Sequence, residues 1–93
     1  MRLDKWLKVT RLIKRRTVAK EVVERGLVAV NGRPAKPGTD LKVGDRVQIQ
    51  LPRGRLTVQV LATPESVPAR EAARCYAVEA DEGAYLDSED HSL

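Results

Sequence analysis

The sequence contains no Phe, one Cys, one His and one Met, and its only aromatic side chains are Trp6, Tyr76 and Tyr85. Each scarcity excludes something. With Cys75 alone, neither an intramolecular disulfide nor a thiolate metal cluster can form, and Cys75 is expected to be a small buried apolar residue. His91 is also alone, close to the C-terminus, and is assigned no role. No apolar run is long enough for a signal peptide or a membrane span, since Met1 leads directly into Arg2, Leu3 and Asp4; a cytoplasmic protein is expected. The 93 residues leave room for one domain with a small core, which Val, Leu, Ile and Ala must supply. No metal site, cofactor or catalytic residue is expected.

Charge is what the sequence has in abundance, and it is unevenly distributed. Met1 to Val60 carry 15 Lys/Arg against 5 Asp/Glu, a net +10, whereas Leu61 to Leu93 carry 2 against 8, a net −6. A chain divided in this way presents a basic working surface followed by an acidic end. In the first 20 residues Arg2, Lys5, Lys8, Arg11, Lys14, Arg15, Arg16 and Lys20 face only Asp4. A basic surface of this density points to a polyanionic partner.

Periodicity gives the elements. Leu3, Trp6 and Leu7 recur at helical spacing and predict a first helix over Leu3–Val9. Thr17 is placed as the N-cap of a second helix, Thr17 to Arg25, with Val18, Ala19, Val22 and Val23 as its apolar face. Gly26 supplies the left-handed residue that ends it. The period then changes to two: Val28 and Val30 alternate up to Asn31-Gly32, a hairpin turn. Gly44-Asp45 makes another turn, and the runs Val47, Ile49, Leu51 and Leu56, Val58, Val60 form a second hairpin around Pro52-Arg53-Gly54. The class is α+β: two short helices on a small twisted antiparallel sheet. Residues 1–61 are read as the domain and 62–78 as an extension, in which a short helix from Ala69 to Tyr76 docks through Ala72, Cys75 and Tyr76. From Glu79 the chain is acidic, and 79–93 are expected to be a disordered tail.

The kind of nucleic acid follows from what the helices do not offer. The exposed face of the second helix has Lys20, Glu21, Glu24 and Arg25, a poor reader of base edges because carboxylates repel the backbone. Three aromatics, with Trp6 expected in the core, cannot build a base-stacking platform for single strands. What remains is backbone and shape recognition of folded RNA by Arg forks and Lys point charges.

The residues Arg2-Leu3-Asp4-Lys5-Trp6-Leu7, then Arg11 to Lys20, then Gly26-Leu27-Val28-Ala29-Val30-Asn31-Gly32, completed by Gly44-Asp45, resemble the RNA-binding domain named after ribosomal small-subunit protein four, the S-four domain. The resemblance covers Met1 to about Leu61. Met1 to Gly26 and Pro68 to Tyr76 further resemble small free-standing bacterial S-four proteins that act on obstructed large ribosomal subunits. Of two such groups, the heat-shock type is longer and ends in a basic tail, so the RqcP family of ribosome-associated quality-control factors is the better match. That resemblance implies a non-enzymatic protein that touches large-subunit ribosomal RNA and P-site peptidyl-tRNA while its partner RqcH supports alanine tailing of the stalled chain. It implies a monomer off the ribosome.

On this reading the RNA-binding residues are Arg2, Lys5, Lys8, Arg11, Lys14, Arg15, Arg16 and Lys20, with Thr17 either a cap or a phosphate contact and Arg33 a candidate beside the Asn31-Gly32 turn. Asp4 is assigned to positioning Arg2, Arg11 or another basic side chain through a salt bridge. General acid-base work is not expected of it, for want of a second titratable partner at suitable spacing.

Overall fold

The apolar spacing of Leu3, Trp6 and Leu7 forms α1 (Leu3–Val9) in the computed structural model, which describes residues 1–83. The N–H groups that a helix start leaves without intrahelical partners are satisfied from outside. Leu3 N–H donates to the Thr39 carbonyl (2.9 Å) and Asp4 N–H to the Pro37 carbonyl (3.1 Å), while Lys5 N–H donates to Asp4 Oδ1 (2.8 Å). The loop before Leu41 therefore caps α1, and Leu41 N–H closes the contact on the Met1 carbonyl (2.7 Å). At the other end buried Thr10 donates its hydroxyl to the Trp6 carbonyl (2.8 Å), and Arg11 turns left-handed at φ 62°.

The second helix, α2 (Arg16–Glu24), begins one residue earlier than the sequence predicts. Arg15 is its N-cap, in extended conformation, and the Arg15 carbonyl already accepts the Ala19 N–H at 2.9 Å. Thr17 thus lies inside the first turn with helical backbone and makes no side-chain cap; the capping role expected of it is wrong. Gly26, at φ 78°, ends the helix as expected: its N–H reaches the Val23 carbonyl and the Leu27 N–H the Val22 carbonyl, a Schellman arrangement.

Five antiparallel strands follow: β1 (Val28–Val30), β2 (Arg33–Pro34), β3 (Arg46–Leu51), β4 (Gly54–Val60) and β5 (Tyr76–Glu82), in the order β2-β1-β3-β4-β5. In β3 the buried Val47, Ile49 and Leu51 alternate with the more exposed Arg46, Gln48 and Gln50, so one face of the sheet meets the helices. The core between them joins Leu3, Trp6, Leu7, Leu12 and Ile13 to Ala19 and Val23 of α2 and to the inner side chains of β1, β3 and β4. Trp6 is wholly buried there, as expected of a core residue; its indole N–H donates to the Ala62 carbonyl (3.0 Å), and Tyr76 meets it edge-on with centroids 6.5 Å apart.

The C-terminal half differs from expectation in two respects. Ala69–Cys75 form a 3₁₀ helix, with Ala72 and Cys75 buried as expected, but Tyr76 opens β5. Glu79 to Glu82, expected as the start of a disordered tail, are in β5, paired with β4 from Tyr76↔Val60 to Glu82↔Arg55. Two ion pairs hold them: Glu79 to Arg46 (2.5 Å) and Glu82 to Arg55 (2.7 Å). Composition reads acidity as disorder, whereas here Glu79 and Glu82 have basic partners on β3 and β4. The remaining tail expectation, and His91, lie outside the described residues.

Candidate nucleic-acid interface

Helix α1 has a buried side made by Leu3, Trp6 and Leu7 and, on the same turn, one buried carboxylate, Asp4, only 3% exposed in its side chain. Arg2, just before the helix, approaches it two-pronged, with Nε 3.2 Å from Oδ1 and Nη2 3.3 Å from Oδ2. Arg16, the first residue of α2, comes from the other side, with Nη2 3.6 Å from Oδ1. Burial alone raises the pKa of Asp4, but the Arg2 and Lys5 N–H bonds and the charges of Arg16 and Arg2 outweigh it, so the carboxyl sits below its ordinary range. Asp4 is ionised at neutral pH and pairs with two half-exposed guanidinium groups. It positions Arg2 and Arg16; of the arginines considered from sequence, Arg11 is not among its partners.

Lys5, Lys8, Arg11 and Arg16 line one side of a groove of about 310 Å³, with Glu65, Ser66 and Val67 opposite. The left-handed turn at Arg11 brings the chain from the end of α1 back toward the start of α2, so cations from both elements share that groove. Lys14, Arg15, Thr17 and Lys20 are exposed but do not line it. Among the described residues Lys8, Arg11, Lys14, Arg15 and Lys20 form no ion pair, whereas Arg46, Arg55 and Arg74 on the sheet and the 3₁₀ helix each have a carboxylate. Helix α2 also starts with Arg15 and Arg16 and has no acid in its first turn, although the positive end of a helix favours negative charge. A bound anion at this place would relieve both deficits.

Arg33 is not brought to the groove. It is exposed on β2, beside a separate depression of about 370 Å³ that it shares with Asn31, Asp40, Lys42 and Asp45. Asn31 itself is structural: its side-chain N–H donates to Asp45 Oδ1 (3.1 Å), and its side-chain oxygen accepts the Arg46 N–H (2.9 Å). The two turn motifs are thereby tied to each other. Sequence reasoning missed Glu65 as a member of the groove, because nothing local marks a residue 60 positions from its partner Lys5.

The described residues contain no group of His, Cys, Asp and Glu that could hold a metal ion, and no helix among them is long and apolar enough to cross a membrane.

Comparison with known proteins agrees with this geometry. The family described as "S4 domain" matches residues 1–47. An "RQC P-site tRNA stabilizing factor" from Streptococcus pneumoniae is 53% identical over 78 residues, covering 84% of this chain and 89% of that protein. A protein of the same name from Halalkalibacterium halodurans is 50% identical over 82 residues, covering 88% and 93%. Among solved structures, the trimeric structure of Vibrio cholerae Heat Shock Protein 15 superposes with a TM-score of 0.80 at 32% identity, covering 86% of this chain and 82% of that one.

Proposed function

The chain belongs to the S4-domain family, and on that premise we propose that it is a non-enzymatic RNA-binding factor of ribosome-associated quality control. In this reading it binds obstructed large ribosomal subunits through ribosomal RNA and the P-site peptidyl-tRNA, works with RqcH in the alanine tailing of stalled chains, and is a cytoplasmic monomer off the ribosome. The observation that carries the reading is the cation cluster of α1 and α2, organised around buried Asp4, within the residues that match the family.

The physical roles follow. Arg2 and Arg16, held by Asp4, present guanidinium forks at a fixed separation and can clamp phosphates two-pronged. Lys5, Lys8, Arg11, Lys14, Arg15 and Lys20 neutralise surrounding phosphates, and the Thr17 hydroxyl, which has no capping duty, is free to join them. Arg33, on the hairpin away from the groove, suits a second segment of RNA. Contact with two folded RNAs at once adds affinity only where both are present, which selects the obstructed subunit over either RNA alone.

The heat-shock reading rests on the TM-score of 0.80 to the Vibrio protein. Identity of 53% to a P-site tRNA factor, against 32% for that structure, favours the first. The deciding experiment is co-sedimentation with large subunits with and without peptidyl-tRNA, alongside an assay of alanine tails in cells lacking the protein. The proposal expects preference for peptidyl-tRNA-bearing subunits, lost in Arg16→Ala with the circular dichroism unchanged, and shorter tails in the deletion strain. Tails of normal length would favour the heat-shock reading, and equal sedimentation of Arg16→Ala would remove the assigned site. Wild-type binding should also weaken with salt at a log–log slope of roughly −3 to −5, for about four to six phosphates.

A further inference from the structure

The groove beside α1 is not empty of anions: Glu65, from the connection between β4 and the 3₁₀ helix, pairs its carboxylate with the Lys5 ammonium. We infer that this groove is a phosphodiester site whose place is held, in the free protein, by the Glu65 carboxylate, and that RNA docks by exchanging a phosphate for it. The inference rests on the RNA-binding reading and specifies one of its sites.

Three observations support it. The carboxylate is presented by an anchored backbone: Trp6 donates to the Ala62 carbonyl (3.0 Å), and the Leu61 and Ala62 N–H groups both donate to the Cys75 carbonyl (2.8 and 3.2 Å). Pro64 restricts the chain immediately before Glu65. Next, the carboxylate faces an excess of charge, because Lys5, Lys8, Arg11 and Arg16 line the same groove, and among the described residues Glu65 is its only acid. A carboxylate and a phosphodiester each offer a pair of anionic oxygens, so whatever the cations hold in one they can hold in the other. Finally, the pair is exchangeable. The Glu65 side chain is 83% exposed and that of Lys5 33%, and exposed ion pairs contribute little to stability. Lys5 draws the Glu65 carboxyl below its ordinary range, so the stand-in is fully charged at neutral pH.

The device sets a threshold. An RNA must supply a phosphate in the right place to displace Glu65, and an RNA making only diffuse contacts gains less from Lys5.

The test uses the full chain and unfractionated bacterial tRNA labelled with fluorescein, titrated by anisotropy between 50 and 300 mM NaCl, a range chosen because phosphate contacts are read through salt. Glu65→Gln should bind about three-fold tighter at low salt, the scale of an exposed ion pair. The advantage should shrink toward 300 mM NaCl, giving a steeper log–log slope than wild type, because salt screens the Lys5–Glu65 attraction that the phosphate must displace. In a Lys5→Ala background the same change should gain clearly less, the signature of direct coupling. Unchanged affinity and slope in Glu65→Gln, or an equal gain in the Lys5→Ala background, would overturn the inference while leaving RNA binding in place. Wild-type protein with no salt-dependent tRNA binding would instead overturn the RNA-binding reading, and this site with it.

Discussion

Arg16 of α2 and Asp4 of α1 meet at 3.6 Å, Nη2 to Oδ1, and this contact fixes how the two helices present their cations. Asp4 is buried and accepts from Arg2 as well, so a single carboxylate sets the distance between an arginine before α1 and the first residue of α2. Taking the carboxylate away releases both arginines without removing either.

Asp4→Asn therefore separates two views of the surface. The substitution makes the protein more positive by one charge, and unspecific electrostatics would tighten RNA binding. Positioning predicts the reverse, a loss of about 3–10-fold from disordered guanidinium forks, on the scale of the ~0.5–1.5 kcal/mol of one immobilised side chain. Anisotropy with labelled tRNA at fixed salt decides it; a tighter-binding variant would refute the positioning role.

Acid should destabilise this protein chiefly through buried Asp4, and to a smaller extent through its exposed carboxylate pairs. Asp4, Asp40, Glu65, Glu79 and Glu82 all have folded pKa values lowered by their partners. Each contributes stability that is present above the unfolded carboxylate values, about 4, and is lost as the pH falls through the lower folded values. Thermal unfolding between pH 7 and pH 2 should show a falling midpoint below about pH 4. Asp4→Asn should start lower at pH 7 and lose less on acidification; an acid limb as steep as wild type would exclude Asp4 as a contributor.

Asn31 combines a left-handed backbone, φ 52°, with side-chain bonds to Asp45 and the Arg46 N–H. Asn31→Ala loses both and should cost about 2–4 kcal/mol, the sum of ~1 for left-handed backbone and ~0.5–1.5 for each hydrogen bond. Asn31→Gly retains the backbone freedom and should cost about 1 kcal/mol less. Urea denaturation of the pair measures the difference; equal losses would mean that the backbone conformation is unimportant.

Gly54, the first residue of β4, lies against β5 so closely that a Cβ would overlap the Glu82 carbonyl oxygen. Gly54→Ala must push the end of β5 away and should destabilise by about 1–3 kcal/mol, the range for overpacking. Amide exchange should show faster opening of Asp81 and Glu82 with little change in β1. Protection of β5 equal to wild type would contradict the close approach.

Helix α1, the Gly26 stop, the Asn31-Gly32 turn and the hairpin of β3 and β4 were legible in the sequence because each depends on local periodicity or on a residue that tolerates φ above zero. The cation cluster was legible as composition, and so was the salt bridge between the lone acid in it, Asp4, and Arg2. What was not legible is long-range. Arg16 as the second partner of Asp4, Glu65 in the groove, and Glu79 and Glu82 in a strand all depend on which segments the fold places side by side. Thr17 misled because a threonine before an apolar run is a good cap, whereas the extended residue that precedes the helix is Arg15, whose carbonyl accepts the Ala19 N–H.

The ion pairs Arg46–Glu79 and Arg55–Glu82 neutralise the side of the sheet turned away from the helices. The charge separation along the chain thus becomes in part a separation in space, leaving Lys8, Arg11, Lys14, Arg15 and Lys20 as an unbalanced positive patch on the helical side. In the strong negative field around an RNA such a molecule experiences a torque as well as an attraction. It arrives helix-first, and a larger share of its encounters begins in an orientation that can lead to docking.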